Sequence, residues 1–204
     1  MFFSDVTHFP EIEDGRIEIL TFLDACRGIV RFIELLGTVF SPVKNDILGN
    51  IEKLNTIRMG NKEKFLTLND IVEYELENSK ENVGIDALLW LKRALEYMNV
   101  FLTCLVNDSK ENICTDNLVP YFNKAYEEKL KPYHGWLVQK LFGIMVHAAP
   151  SRKSLLQLLA GEIEFAVEDE ILADIENFIQ GLGSNLEVIN SIYKRYDIDS
   201  NAKV

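Results

Sequence analysis

Apolar positions recur three and four residues apart along almost the whole chain, and strand-like alternation bounded by turn residues is hard to find. The pattern predicts an all-α protein. Between Ile17 and Leu36 the positions Leu20, Leu23, Ile29, Ile33 and Leu36 define one amphipathic helix, which Gly37 ends by supplying a permissive backbone. A second helix is predicted to start at Ser41-Pro42, where serine can cap free amides and proline has none to satisfy, and to run to about Ile57. Thr67 and Asp70 stand at capping-box spacing ahead of a helix through Tyr74 and Leu76. Asp86 is the expected opening of a long helix through Leu88, Leu91, Leu95, Met98, Leu102 and Leu105. Pro132 and Pro150 separate further helices expected over 118–130, 133–147 and 151–160. Near the end, Ile171, Ile175 and Ile179 precede Gly181 and Gly183, after which Leu186, Ile189, Ile192 and Tyr193 resume the period, so a helical pair is predicted there.

Composition narrows what such a protein does. With 204 residues and 48% hydrophobic positions the chain can bury one sizeable core, and no repeat, low-complexity tract or linker divides it, so a single domain over 1–204 is expected. The net charge of −11 argues against nucleic acid as a partner and against simple adhesion to anionic membranes. A local exception covers 124–153, where Lys124, Lys129, Lys131, Lys140, Arg152 and Lys153 face only Glu127 and Glu128. Cys26, Cys104 and Cys114 cannot all pair and have no metal-ligand spacing, which fits a reducing cytoplasm and no metal. Neither a signal peptide nor a membrane span is expected.

Candidate chemistry lies in the second helix. Asp46, Asn50 and Lys53 fall at i, i+4 and i+7, placing an acceptor, an amide and a cation on one face. A solvated stripe is the ordinary reading of such spacing. Gly49 within the same helix costs roughly 1 kcal/mol relative to Ala unless something packs closely there, so a close contact is expected. Elsewhere Trp90 and Arg93 share a helical face, and His134 lies between Tyr133 and Trp136.

Three segments, Phe40-Ser-Pro-Val-Lys-Asn-Asp46-Ile-Leu-Gly-Asn50-Ile-Glu-Lys53, Leu88-Leu-Trp90-Leu-Lys-Arg93 and Tyr133-His-Gly-Trp136, together closely resemble the glycolipid transfer protein family. The resemblance runs from Phe22 to Val204. It implies a two-layer sandwich of about eight helices with an apolar lipid pocket. It also implies non-enzymatic transfer or sensing of glycosphingolipids (galactosyl-, glucosyl- or lactosylceramide) by a cytoplasmic monomer that visits membrane surfaces transiently and needs no cofactor. The family's sugar-recognition residues match Asp46, Asn50, Lys53 and Trp90, and its amide-recognition histidine matches His134. Acyl-pocket positions match Phe32, Val39, Phe40, Val43, Leu130 and Phe142, and membrane docking falls to Trp136 with Lys140 and Arg152 nearby.

The chemistry of these side chains agrees with those roles. A sphingolipid amide offers one N–H and one C=O, which a carboxylate and a histidine can satisfy from opposite sides. A glycerolipid ester has no N–H and would leave the carboxylate unpaired, at a cost of roughly 1.5 to 3 kcal/mol. An indole can stack on the apolar face of a pyranose while Asn50 and Lys53 bond its hydroxyl rim. Ceramide-1-phosphate is the alternative ligand, since Lys53 and Arg93 are cations placed to hold a phosphate, with Arg93 otherwise a sugar contact. A less favoured alternative is an acid–base hydrolase using Asp46 and His134, for which no nucleophile or second carboxylate is placed. The sequence departs from the family at Ala202, where some relatives carry an aromatic residue. It departs again at Phe32-Ile-Glu34, where better-known members carry a Phe-Phe-Asp adaptor segment, so docking to such adaptors is not expected.

Overall fold

The computed structural model describes residues 1–78, 81–161, 163 and 167–204. Among these, eight α-helices carry the fold: α1 Ile19–Leu35, α2 Ser41–Gly60, α3 Leu68–Asn78, α4 Val83–Lys110, α5 Val119–Lys129, α6 Trp136–Met145, α7 Arg152–Ala160 and α8 Glu168–Tyr196. β pairing among the described residues is limited to two isolated bridges, Glu13 with Arg16 and Glu18 with Thr67. No described helix is long and apolar enough to cross a membrane. The long α4 packs against α2, α3, α5 and α8, while α1 lies on α2. Its apolar side chains, from Leu88 through Leu91, Leu95, Met98 and Phe101 to Leu105, are accordingly buried.

Local signals account for several helix ends. Thr67 and Asp70 make the reciprocal capping box: the Thr67 amide donates to Asp70 Oδ2 at 2.6 Å, and the Asp70 amide donates to Thr67 Oγ1 at 3.2 Å. Gly37, at φ +106°, stands just past Leu36, the residue that caps α1, in a conformation that only glycine adopts freely. Pro42 opens α2 as expected, but Ser41 does not cap it: its hydroxyl donates to the Thr38 carbonyl at 2.6 Å, and the helix runs one turn further than predicted, to Gly60.

Three expectations are corrected, two of them by tertiary contacts. The α4 helix starts at Val83 rather than at Asp86, because the buried Glu75 of α3 reaches across to accept the Gly84 amide at 2.8 Å and the Ile85 amide at 2.9 Å. The predicted C-terminal helical pair is one continuous α8 through Gly181 and Gly183. Each interior glycine costs about 1 kcal/mol, whereas full burial of a side chain such as Phe178, Leu182 or Leu186 contributes roughly 1.5 to 3 kcal/mol, so packing wins. Helix α6 is shorter than 133–147, because Lys131–Tyr133 and Val146–Ala148 form single 3-10 turns at its two ends.

Contacts at both ends of α2 set it antiparallel to α4. A Cβ at Gly84 would lie 3.0 Å from Ile57 Cδ1, while Phe40 and Phe101 both pack on the ring of Phe122. The face of α2 carrying Asp46, Asn50 and Lys53 is thereby level with the part of α4 that carries Trp90 and Arg93.

Gly49 differs from Gly84. Nothing lies within 4 Å of where its Cβ would stand, so the expected close packing is absent among the described residues; the open space is on the face shared by Asp46, Asn50 and Lys53. At Gly84 an added Cβ would meet Ile71 Cγ2 at 2.6 Å. Thermal or urea unfolding is therefore expected to show Gly84→Ala destabilised by about 1 to 3 kcal/mol through overpacking. The same measurement should show Gly49→Ala stabilised by up to about 1 kcal/mol through helix propensity.

Candidate functional site

On α2 the three polar residues form a chain of hydrogen bonds: Asn50 Nδ2 donates to the Asp46 carbonyl at 3.0 Å, and Lys53 Nζ donates to Asn50 Oδ1 at 3.3 Å. Asn50 is buried while Asp46 and Lys53 keep exposed faces. Although Asp46 is open to solvent on one side, the protein mass around it raises its carboxyl above the ordinary pKa, and the Lys53 charge pulls it partly back.

At the same level on α4, the half-buried Trp90 anchors a second group. The His134 ring stacks beside it, with centroids 6.3 Å apart and planes 19° from parallel. The Arg93 guanidinium lies 4.9 Å from the Trp90 ring and 3.4 Å from that of Tyr133. Tyr126 of α5 places its hydroxyl 3.0 Å from His134 Nδ1. Burial, and then the Arg93 charge, lower the His134 pKa and favour the neutral ring. In the tautomer in which the Tyr126 hydroxyl donates to Nδ1, the imidazole proton sits on Nε2 and is available for donation.

The loop that holds His134 is fixed from several sides. Pro132 sets a 3-10 turn, His134 is extended, and Gln139 Nε2 donates to the His134 carbonyl at 2.8 Å. The segment after α8 returns here: the Val204 amide donates to the Tyr133 carbonyl at 3.0 Å, and the Gly135 amide donates to the Val204 carbonyl at 2.6 Å. A Cβ at Gly135 would stand 3.0 Å from that carbonyl oxygen, so glycine permits the approach.

Arg93 does not lie at the surface as a free phosphate or sugar contact. It is 1% exposed and donates through Nη2 to Asp199 Oδ1 at 3.0 Å and to the Ser200 carbonyl, so its charge is answered inside the protein. Arg152 is likewise corrected as a membrane-docking residue. It is 4% exposed, with Nη1 donating to Asp108 Oδ2 at 3.2 Å and Nη2 to Glu168 Oε1 at 2.7 Å, because the first turn of α7 points inward at that position.

The acyl-pocket residues divide. Phe32 packs on Phe3 and Phe101 in the core, Phe40 on Phe122, and Val43 and Leu130 pack at the core's edge. Phe142 stacks on Tyr126 with centroids 3.7 Å apart and planes within 6° of parallel. Val39 is corrected: it is half-exposed in the turn Thr38–Phe40 and does not belong to the interior. A cleft of about 740 Å³ lies elsewhere, among polar and apolar residues of α7, α8, the loop after α4 and the segment before α8, and holds none of the headgroup candidates.

One face of α6 is uncovered: Trp136, Leu137, Leu141 and Ile144 are all more than half exposed, and Lys140 Nζ lies 4.2 Å from the centre of the Trp136 ring. Sequence reasoning missed Leu137, Leu141 and Ile144 as part of that face, because helical spacing looks the same whether the apolar side meets a core or a lipid. It also missed Tyr126 and Asp199. Tyr133 was visible as the neighbour of His134, but nothing in the local sequence marks the other two.

Comparison with known proteins fits this arrangement. The family model for "Glycolipid transfer protein (GLTP)" matches residues 17–161. The chain belongs to the glycolipid transfer protein family. It is 36% identical to a glycolipid transfer protein of Danio rerio over 94% of this chain and 93% of that protein. It is also 33% identical to human pleckstrin homology domain-containing family A member 8, over all of this chain and 40% of that longer protein. A solved structure described as showing how FAPP2 selects simple glycosphingolipids using the GLTP fold superposes with a TM-score of 0.88 at 31% identity, covering 100% of this chain and 99% of that one. Mouse ceramide-1-phosphate transfer protein shares the fold, with a TM-score of 0.82 at 21% identity, covering 98% of this chain and 95% of that one.

Because the folded pKa of His134 is depressed below the ordinary 6.5, the unfolded chain binds the extra proton first. The contribution of this residue is fully present above about pH 6.5 and is lost as pH falls through the lowered folded value. Unfolding curves between pH 7.5 and 5 are expected to show a smaller loss of stability for His134→Asn than for the parent chain.

Proposed function

We propose that this protein binds one glycosphingolipid at a time and moves it between membranes without covalent chemistry, as a cytoplasmic monomer folded as one domain. The observation that carries this reading is the stacked Trp90–His134 pair, level with the Asp46–Asn50–Lys53 face of α2. The sugar stacks on Trp90, while Asn50 and Lys53 bond its hydroxyls. Asp46 accepts the sphingolipid N–H, and His134 donates its Nε2–H to the amide carbonyl. Galactosyl-, glucosyl- and lactosylceramide present this combination of pyranose and amide. The name of the Danio rerio relative and the simple glycosphingolipids of the FAPP2 structure support the same class of ligand.

The hydrocarbon tails enter between α5 and α6, which requires Phe142 to part from Tyr126 and lets Leu130, Val43 and Phe40 line the chains. About 30 methylenes exposed to water would cost on the order of 24 kcal/mol, so the pocket must nearly match the bilayer as a solvent. With so little net driving force, transfer runs to equilibrium without nucleotide. Membrane contact is made by the uncovered face of α6, where Trp136 seats in the interface and Lys140 meets headgroups. Ceramide-1-phosphate is disfavoured as the ligand because Arg93 is already committed to Asp199.

Fluorescent galactosylceramide is expected to pass between phosphatidylcholine vesicles with no ATP present; a strict nucleotide requirement would refute the shuttle. Trp90→Ala should lower that transfer by about tenfold or more with the fold intact, the equivalent of about 1.4 kcal/mol of lost stacking. In a vesicle sedimentation assay, Trp136→Ala should weaken partitioning several-fold while leaving binding of detergent-solubilised galactosylceramide unchanged.

A further inference from the structure

Two adjacent cations of α4 are buried behind the headgroup platform: Lys92 at 4% exposure and Arg93 at 1%. Their neighbours are nearly all neutral. Lys92 Nζ donates to Asn190 Oδ1 at 3.0 Å and lies 5.3 Å from the Tyr193 ring. Arg93 faces the rings of Trp90 and Tyr133 and the Ser200 carbonyl, and its Nε has no partner among the described residues. Among those residues, the one carboxylate in contact with either cation is Asp199, which takes Lys92 on Oδ2 at 2.8 Å and Arg93 on Oδ1 at 3.0 Å.

The backbone delivers Asp199 to this position. Asp197 adopts the left-handed conformation at φ +52° just after α8 and turns the chain back, and the Ile198 amide donates to the Tyr193 carbonyl at 3.1 Å. Five residues beyond Asp199, the main chain of Val204 pairs with Tyr133 and Gly135. The strap is thus pinned on both sides of the carboxylate. Burial opposes ionisation of Asp199, but the hydrogen bonds and charges of Lys92 and then Arg93 hold its carboxyl below the ordinary range, so it stays charged at neutral pH.

We infer, on the headgroup site proposed above, that Asp199 is a specificity-determining residue, cancelling charge from two buried cations behind Trp90 and so keeping sphingolipids with an anionic headgroup out. Among the groups in direct contact, with Glu96 one step further out and accepting from Asn190 Nδ2 at 2.8 Å, two cations against one carboxylate leave a single positive charge. Asp199→Asn would double it, in a setting where charges act more strongly than in water. The residue contacts Arg93 and not the ligand. It acts by setting the potential at the platform on which the sugar rests.

Competition between fluorescent galactosylceramide and ceramide-1-phosphate, both in phosphatidylcholine vesicles, reads the preference in either direction. Asp199→Asn is expected to improve ceramide-1-phosphate as a competitor by about tenfold relative to the parent, the equivalent of about 1.4 kcal/mol. Asp199→Glu should leave the ratio near the parent value, and Asp199→Asn combined with Lys92→Gln should return it there. A folded Asp199→Asn protein with an unchanged ratio would overturn the inference, as would a gain that persists in the double variant. If Asp199→Asn does not fold, Lys92→Gln alone must make ceramide-1-phosphate a poorer competitor, and no change would overturn the inference equally. Failure of the parent chain to bind galactosylceramide would refute the headgroup site itself, whereas binding with an unmoved ratio refutes the role of Asp199 alone.

Discussion

A guanidinium that is 1% exposed has to be balanced within the protein, and meeting that demand for Arg93 brings together the region around Trp90 and His134. Two aromatic rings take its faces, Trp90 from the same helix and Tyr133 from the loop after α5. A carboxylate supplied from beyond α8 takes its edge. Each partner belongs to a different part of the chain, so balancing one buried charge draws α4, the His134 loop and the segment after α8 together. The proposed sugar platform is thereby tied to charge balance: Arg93 lies against the Trp90 ring, and His134, next in the chain to Tyr133, stacks beside that ring.

Tyr126 connects this polar assembly to the apolar one. Its hydroxyl bonds His134 on the headgroup side, while its ring stacks on Phe142 on the side where tails would enter. The same burial pushes its phenol pKa up to about 12, so it stays a neutral donor at any physiological pH. Beyond Phe142 comes the bare face of α6, so the surfaces proposed for headgroup recognition, tail accommodation and membrane contact follow one another along a short path. A carrier needs these three functions coupled, because the lipid must leave the bilayer without passing through water.

Helical periodicity made much of this architecture legible. The Thr67–Asp70 box, the Pro42 start and the Gly37 stop act within a few residues of chain, so their signals are local and the structure bears them out. What escaped the sequence was set by contacts between distant segments. Glu75 caps α4 from another helix, and the burial of α8 outweighs its two glycines. Arg152 looked like a surface cation until Asp108 and Glu168 enclosed it. At the candidate site the motifs supplied Asp46, Asn50, Lys53, Trp90 and His134, which the fold sets on neighbouring elements. Asp199 had no motif to announce it, because its role depends on where the chain goes after α8.

The central claim is that a carboxylate and an imidazole recognise the amide linkage of the lipid while an indole supports its sugar. Paired transfer rates of galactosylceramide and galactosyldiacylglycerol, matched in sugar and chain length, test it most directly, because the two differ at the linkage that Asp46 and His134 would read. The account predicts at least about tenfold faster transfer of the amide-linked lipid, the minimum expected for one lost charged hydrogen bond. Equal rates for the two lipids would contradict it.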